Sequence, residues 1–245
     1  MSSCSPIIMK SQSYSIRFAF SILLMLLVAS GCDKINCYSV TGDVVDRSYH
    51  IAAISGLQMH CEGEVFISQG DSQSVVLHSD EELFKVLQFH ITNGVVIMEF
   101  SEDCVEHIGE FQLYITTTED IKSLDLRSSG SVKALDTLRA PNLSINVAGA
   151  GGVELSYVYS DSMDLQITGS GNISLSSPDT LMYQSNMVSG SGNIQSFNLI
   201  SHDVSVDGNG SGNINVHAVD TLHGSITGSG NLNYKGQPGI DVSDT

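Results

Sequence analysis

The 245-residue sequence has no tryptophan, and only 10 lysines and arginines stand against 27 aspartates and glutamates. A formal net charge of −17 excludes partners that need positive charge, since nucleic acid and anionic headgroups would be repelled; divalent cations remain as a weak, generic partner. Without tryptophan, an aromatic platform for a sugar must come from Tyr or Phe, and Tyr157, Tyr159, Tyr183 and Phe197 are the candidates. The run Phe18 to Ala29 has 12 apolar or small residues, short of the roughly 20 that a membrane-crossing helix needs. The 5 cysteines include no C-x-x-C pair.

Signatures of chemistry are missing as well. None of the 8 histidines falls in H-x-H or H-E-x-x-H, and neighbours such as His60 and Cys61 point to opposite faces of a strand. His202, His217 and His223 are nearest in sequence for a metal, and exposed loop histidines are the simpler reading, so no metal or cofactor is expected. No G-K-[ST] follows the glycine-rich segments, and no G-x-S-x-G occurs for a hydrolase. Paired carboxylates on a β-helix face are the enzyme alternative, a polysaccharide-active one. Against it, no lysine or arginine occurs between Arg139 and Lys235.

What is present begins with a targeting signal. Lys10 and Arg17 precede the apolar run, and Val28-Ala29-Ser30-Gly31-Cys32 follows it. This segment resembles the lipobox of bacterial lipoproteins, with Ala29 where Leu is usual; the resemblance implies a signal peptide over 1–31 and lipidation at Cys32. The alternative is an ordinary secretory signal, which also exports the chain. Acyl chains on Cys32 would tether the protein to a membrane, and residues 32–47 would be the tether, with Lys34 to Arg47 as a spacer. Export leaves 8 basic against 27 acidic residues, a net charge of −19. Cys37, Cys61 and Cys104 then remain, either as free, partly buried thiols or with a Cys61–Cys104 bridge in an oxidising compartment.

The strongest feature is a repeat. RSSGSVKAL, VAGAGGVEL, ITGSGNISL, VSGSGNIQS, GNGSGNINV and ITGSGNLNY align on Gly130, Gly151, Gly171, Gly192, Gly212 and Gly230, at intervals of 21, 20, 21, 20 and 18 residues. Around each corner apolar residues alternate, as in Met163, Leu165 and Ile167 before it and Ile173 and Leu175 after it, which means strands with one buried face. A unit of about 20 residues cannot bury that face alone, so the units stack. The fold class expected is all-β, a single-stranded β-helix (β-solenoid) with coils of about 20 residues. Val153, Ile173, Ile194, Ile214 and Leu232 would form an interior ladder. The corner residues are Gly171 with Asn172, Gly192 with Asn193, Gly212 with Asn213, and Gly230 with Asn231. Gly and Asn both tolerate the left-handed backbone region, and the asparagines would stack as a second ladder.

Two irregularities test this register. The coil between Gly171 and Gly192 has an extra residue and shows Tyr183 and Met187 one position off, for which a bulge is expected. The 18-residue interval needs a shorter loop. Upstream, 48–126 is strand-like, with turns at Gln69-Gly70-Asp71 and Asn93-Gly94 and a helix over Asp80 to Leu87; it reads as the cap and early coils of one domain, 48–235, whose repeats occupy 128–235. Residues 236–245 would be a tail.

The run from Tyr49 to Phe100 with its Asn-Gly turn, then FQLYITTTEDIKSLDLRSSGSV, then repeated GSGNI, resembles the auto-transporter adhesin head domain, or GIN domain, of exported proteins and lipoproteins of Bacteroidetes. The likeness covers about Tyr49 to Tyr234, although the corners at Gly130 and Gly151 lack the Asn. It implies a right-handed β-helix with no catalytic residues, on the outer membrane or cell surface or facing the periplasm. The function expected is a non-catalytic, adhesin-like binding module for a glycan or protein; the alternative is a structural envelope lipoprotein with no specific ligand.

Overall fold

Alternation around each corner becomes a pair of strands: Ser162–Gly169 buries Met163, Leu165 and Ile167, and Asn172–Ser176 buries Ile173 and Leu175. Neither strand can shield its apolar side by itself, so each pairs in parallel with its counterparts one coil before and one coil after. The computed structural model describes residues 37–106 and 109–244. The stacking makes a β-solenoid of about six turns with coils of about 20 residues.

Two faces run along it. The first stacks Gly56–Met59, Ser123–Leu126, Asn142–Val147, Ser162–Gly169, Leu181–Gly190, residues 203–210, residues 221–228 and Gly239–Asp244. The second stacks Glu64–Gln69, Ser131–Ala134, Gly152–Leu155, Asn172–Ser176, residues 193–198, residues 214–217 and Leu232–Lys235. A short third pairing joins Leu138–Arg139 to Val158–Tyr159. Val65, Val132, Val153, Ile173, Ile194 and Ile214 lie in register as one interior column, none more than 2% exposed. Leu232 ends the column half-buried. Burial of each such side chain contributes about 1.5–3 kcal/mol.

The expected bulge at Tyr183 and Met187 is absent. Ser162 pairs with Tyr183 and Gly169 with Gly190 in unbroken register, and both Tyr183 and Met187 are exposed. The extra residue falls between Leu175, which pairs with Leu155, and Tyr183, in the connecting segment. The interior places are taken by Gln184 and Asn186, at 0% and 1% exposure. They are tolerated because they are bonded: Gln184 Nε2 donates to Asn186 Oδ1 (2.7 Å) and Ser196 Oγ (2.9 Å), Ser201 Oγ donates to Gln184 Oε1, and Asn186 Nδ2 donates to the Ser205 carbonyl. The short final interval is absorbed by register shifts between Gln195 and Ile200 and between Ser201 and Asp203.

The first coil is closed by strands of both senses. Val95–Phe100 and Phe111–Thr117 run parallel to Gly56–Met59 and Glu64–Gln69. Leu87–Thr92, Ser74–Asp80 and Val44–Tyr49 then add antiparallel layers. Asn93 and Gly94, with φ of 53° and 78°, make the hairpin turn. The expected helix over Asp80 to Leu87 shrinks to Leu83–Val86: Asp80 ends one strand, Leu87 starts the next, and Leu83 and Val86 face the core.

Three boundary expectations change. Cys104 bonds to Cys37, while Cys61 is free and buried, so neither the set of three free thiols nor the Cys61–Cys104 pairing occurs. The spacer Lys34 to Arg47 is partly folded: Tyr38–Ser39 pairs in parallel with Val105–Glu106, and Val44–Tyr49 is a cap strand. The tail 236–245 contains the strand Gly239–Asp244, paired with residues 221–226. The signal segment 1–31 and Cys32 lie outside the described residues.

Candidate functional site

The corner residues come together as a column. Asn193 Nδ2 donates to Asn172 Oδ1 at 3.0 Å, Asn213 Nδ2 to Asn193 Oδ1 at 3.0 Å, and Asn231 Nδ2 to Asn213 Oδ1 at 2.9 Å. Left-handed backbone at the corners belongs to glycine rather than Asn: Gly190, for example, has φ of 144°. Gly192 is required by proximity, because a Cβ there would sit 2.1 Å from the Gly171 carbonyl oxygen. The amides of Gly171, Gly192, Gly212 and Gly230 donate to the carbonyls of Gly149, Gly169, Gly190 and Gly210. A glycine-rich phosphate loop works by leaving such N–H groups free for an anion; at these glycines they are already engaged by the previous coil.

Ligand-accessible relief lies on the side of the short third pairing. Leu138 and Val158 are buried there, so strand alternation turns the next residues, Arg139 and Tyr159, outward as register partners. They border a cleft of about 760 Å³, also lined by Gln69, Thr137, Asp161 and Asp179. Gln69, from the first coil, holds the Arg139 backbone from both sides, accepting its N–H at 2.6 Å and donating Nε2 to its carbonyl at 3.0 Å. The Arg139 guanidinium is 72% exposed and engaged through Nε, which donates to Asp120 Oδ1 at 3.4 Å. Tyr157 is 63% exposed and left-handed, with φ of 68°.

A second cleft of about 370 Å³ adjoins it, with Asn142 and Ser162 following the first cleft's Pro141 and Asp161 in the chain. Tyr183 lines this cleft together with Asp164 and Ser185. Phe197 is not a platform of this kind, because Lys235 Nζ lies 4.7 Å from its ring centroid. No sequence motif marks Arg139 and Gln69 as site residues. Gln69 is 70 residues from Arg139, and only coil stacking brings them together; the available signal for Arg139 was its place as the last cation before Lys235.

Other reactive groups stand apart. Burial pushes the Cys61 thiol up to about 12, which keeps it protonated and unreactive. His202 Nδ1 lies 2.8 Å from Asp220 Oδ2, and among the described residues no three His, Cys, Asp or Glu side chains gather for a metal. No described helix is long and apolar enough to cross a membrane.

Solved structures repeat this architecture. A "putative adhesin" from Bacteroides fragilis superposes with a TM-score of 0.71 at 17% identity, covering 84% of this chain and 99% of its own. A "putative lipid binding protein" from Parabacteroides distasonis gives 0.68 at 21% identity, covering 86% and 96%. A "putative adhesin" from Parabacteroides merdae gives 0.64 at 19% identity, covering 84% and 98%. No curated protein matches the sequence. The profile of the family described as "Putative auto-transporter adhesin, head GIN domain" matches residues 55–238, and the chain belongs to that family.

Proposed function

We propose that the chain is an exported, lipid-anchored adhesin-type module that binds its ligand on the loop side of the solenoid and catalyses no reaction. The observation that carries this reading is the cleft bordered by Arg139 and Tyr159, where outward-facing hydrogen-bonding and aromatic groups are held on stacked strands. Such a surface offers contacts to a ligand without a nucleophile paired to a base. The adhesin family and its structural neighbours support the same direction.

A scaffold with no ligand would need no such cleft, which sets the structural-lipoprotein reading second. The relative described as a lipid binding protein raises an acyl ligand, yet the interior here is filled, with Ile145, Leu165 and Ile173 at 0% exposure. The membrane link belongs instead to an acyl group on Cys32.

Protease shaving of intact cells tests the placement. The expected result is removal of the protein from wild-type cells and its release into the soluble fraction when Cys32→Ser blocks acylation. Protection in intact cells would sink the adhesin reading, and membrane retention of the Cys32→Ser chain would sink the anchor.

A further inference from the structure

Resting on the adhesin reading, we propose that the cleft bordered by Arg139 and Tyr159 binds a neutral glycan, a chain of hexose or pentose units without carboxylate or sulfate groups. The Tyr159 side chain is 42% exposed on a strand whose neighbour Val158 is fully buried, so its ring is presented from a fixed base. A flat aromatic face is the natural partner of the C–H face of a pyranose, and the phenolic hydroxyl at its edge adds a polar contact. Around it stand Asp161 and Asp179 as acceptors, Arg139 as a donor, and Thr137 and Thr180 as both. Sugar hydroxyls each donate and accept, so a cleft that mixes these groups matches vicinal diols better than it matches an apolar ligand.

Charge decides which sugars. Asp120, Asp161 and Asp179 set three carboxylates against the one guanidinium, on a chain whose exported form carries −19. A uronic acid or sulfated sugar would enter a negative field, whereas a neutral glycan would not. Tyr183 lines the adjoining cleft, and its register partner Ser162 directly follows Asp161. The ligand is therefore an extended chain that meets Tyr159 and Tyr183 on either side of the Asp161–Ser162 step.

Affinity electrophoresis of the full exported chain in native gels tests the inference, with soluble mannan, xylan or galactan as neutral probes and polygalacturonate as the acidic one. The expected result is at least a twofold loss of mobility in one or more neutral gels, with none in polygalacturonate. Tyr159→Ala restores free mobility, and Tyr159→Phe, which keeps the ring, stays retarded. If Tyr159→Ala melts below wild type, Arg139→Gln takes its place with the same expectation. Unchanged mobility in all three neutral gels, retardation that survives these substitutions, or stronger retardation in polygalacturonate overturns the proposal. Its failure is distinct from that of the adhesin reading: a shaved, surface-exposed protein that ignores all three glycans binds something else, while a retarded protein that resists shaving binds sugar inside the envelope.

Discussion

Gly192 and Gly152 are both corner glycines, but only one of them has to be glycine. A Cβ on Gly192 would meet the Gly171 oxygen at 2.1 Å, whereas one on Gly152 would meet nothing closer than the Asn172 oxygen at 3.6 Å. Gly192→Ala therefore forces adjacent coils apart and costs about 2 kcal/mol or more, while Gly152→Ala restricts the unfolded chain and stabilises by about 0.5 kcal/mol. Asn193 is the middle of the amide column, and its Oδ1 also accepts the Asn213 backbone N–H at 3.0 Å. Asn193→Leu removes these bonds and costs about 1–2 kcal/mol. Calorimetric melting of the three variants should order them Gly152→Ala, wild type, Asn193→Leu, Gly192→Ala from highest to lowest; equal melting of the two alanine variants would contradict the close-approach argument.

At the scale of elements, the cap contains a pH-sensitive contact. His78, on strand Ser74–Asp80, has Nδ1 2.7 Å from Asp46 Oδ1 and Nε2 2.9 Å from Glu110 Oε2, so it ties strand Val44–Tyr49 to residue 110. Hydrogen bonds to Asp46 first and Glu110 second raise its pKa above the ordinary 6.5. A raised folded pKa stabilises fully below the unfolded value and loses that contribution as pH rises through the folded one. Hydrogen exchange of Val44–Tyr49, corrected for intrinsic rates, should quicken relative to the central coils as pH rises from 6 toward 9, and His78→Gln should remove that dependence. A cap strand equally protected across this range would count against the contact.

Elements also show what could be read in advance. The interior column from Val153 to Ile214 was legible because identical offsets from the corner impose identical environments. The coil at Tyr183 misled for the converse reason: hydrophobic character argued for burial, but stacking register outweighs side-chain preference when a polar replacement can bond inside, as Gln184 and Asn186 do. The Cys37–Cys104 bond and the Gln69–Arg139 clasp join residues 67 and 70 positions apart in segments without repeat spacing. No local pattern encodes such pairs. Tyr159 was visible as an aromatic candidate, but its outward direction depends on which neighbour the third pairing buries.

For the molecule as a whole, the repeat and the candidate site separate. Corner glycines and asparagines hold one coil to the next, and their backbone amides are spent on that task. Arg139 and Tyr159 sit on the short pairing between the two faces and point away from the interior columns. The net charge of −17 keeps the surface solvated and turns acidic polymers away. The two halves of this account are compared most directly by counting cells that adhere to mannan-, xylan- or galactan-coated surfaces at 25 °C while displaying wild-type, Tyr159→Ala or Asn193→Leu protein at equal surface density. The account predicts that Tyr159→Ala cells fall to the level of cells lacking the protein and that Asn193→Leu cells adhere like wild type. Undiminished adherence of the Tyr159→Ala cells, or a loss confined to Asn193→Leu, would contradict it.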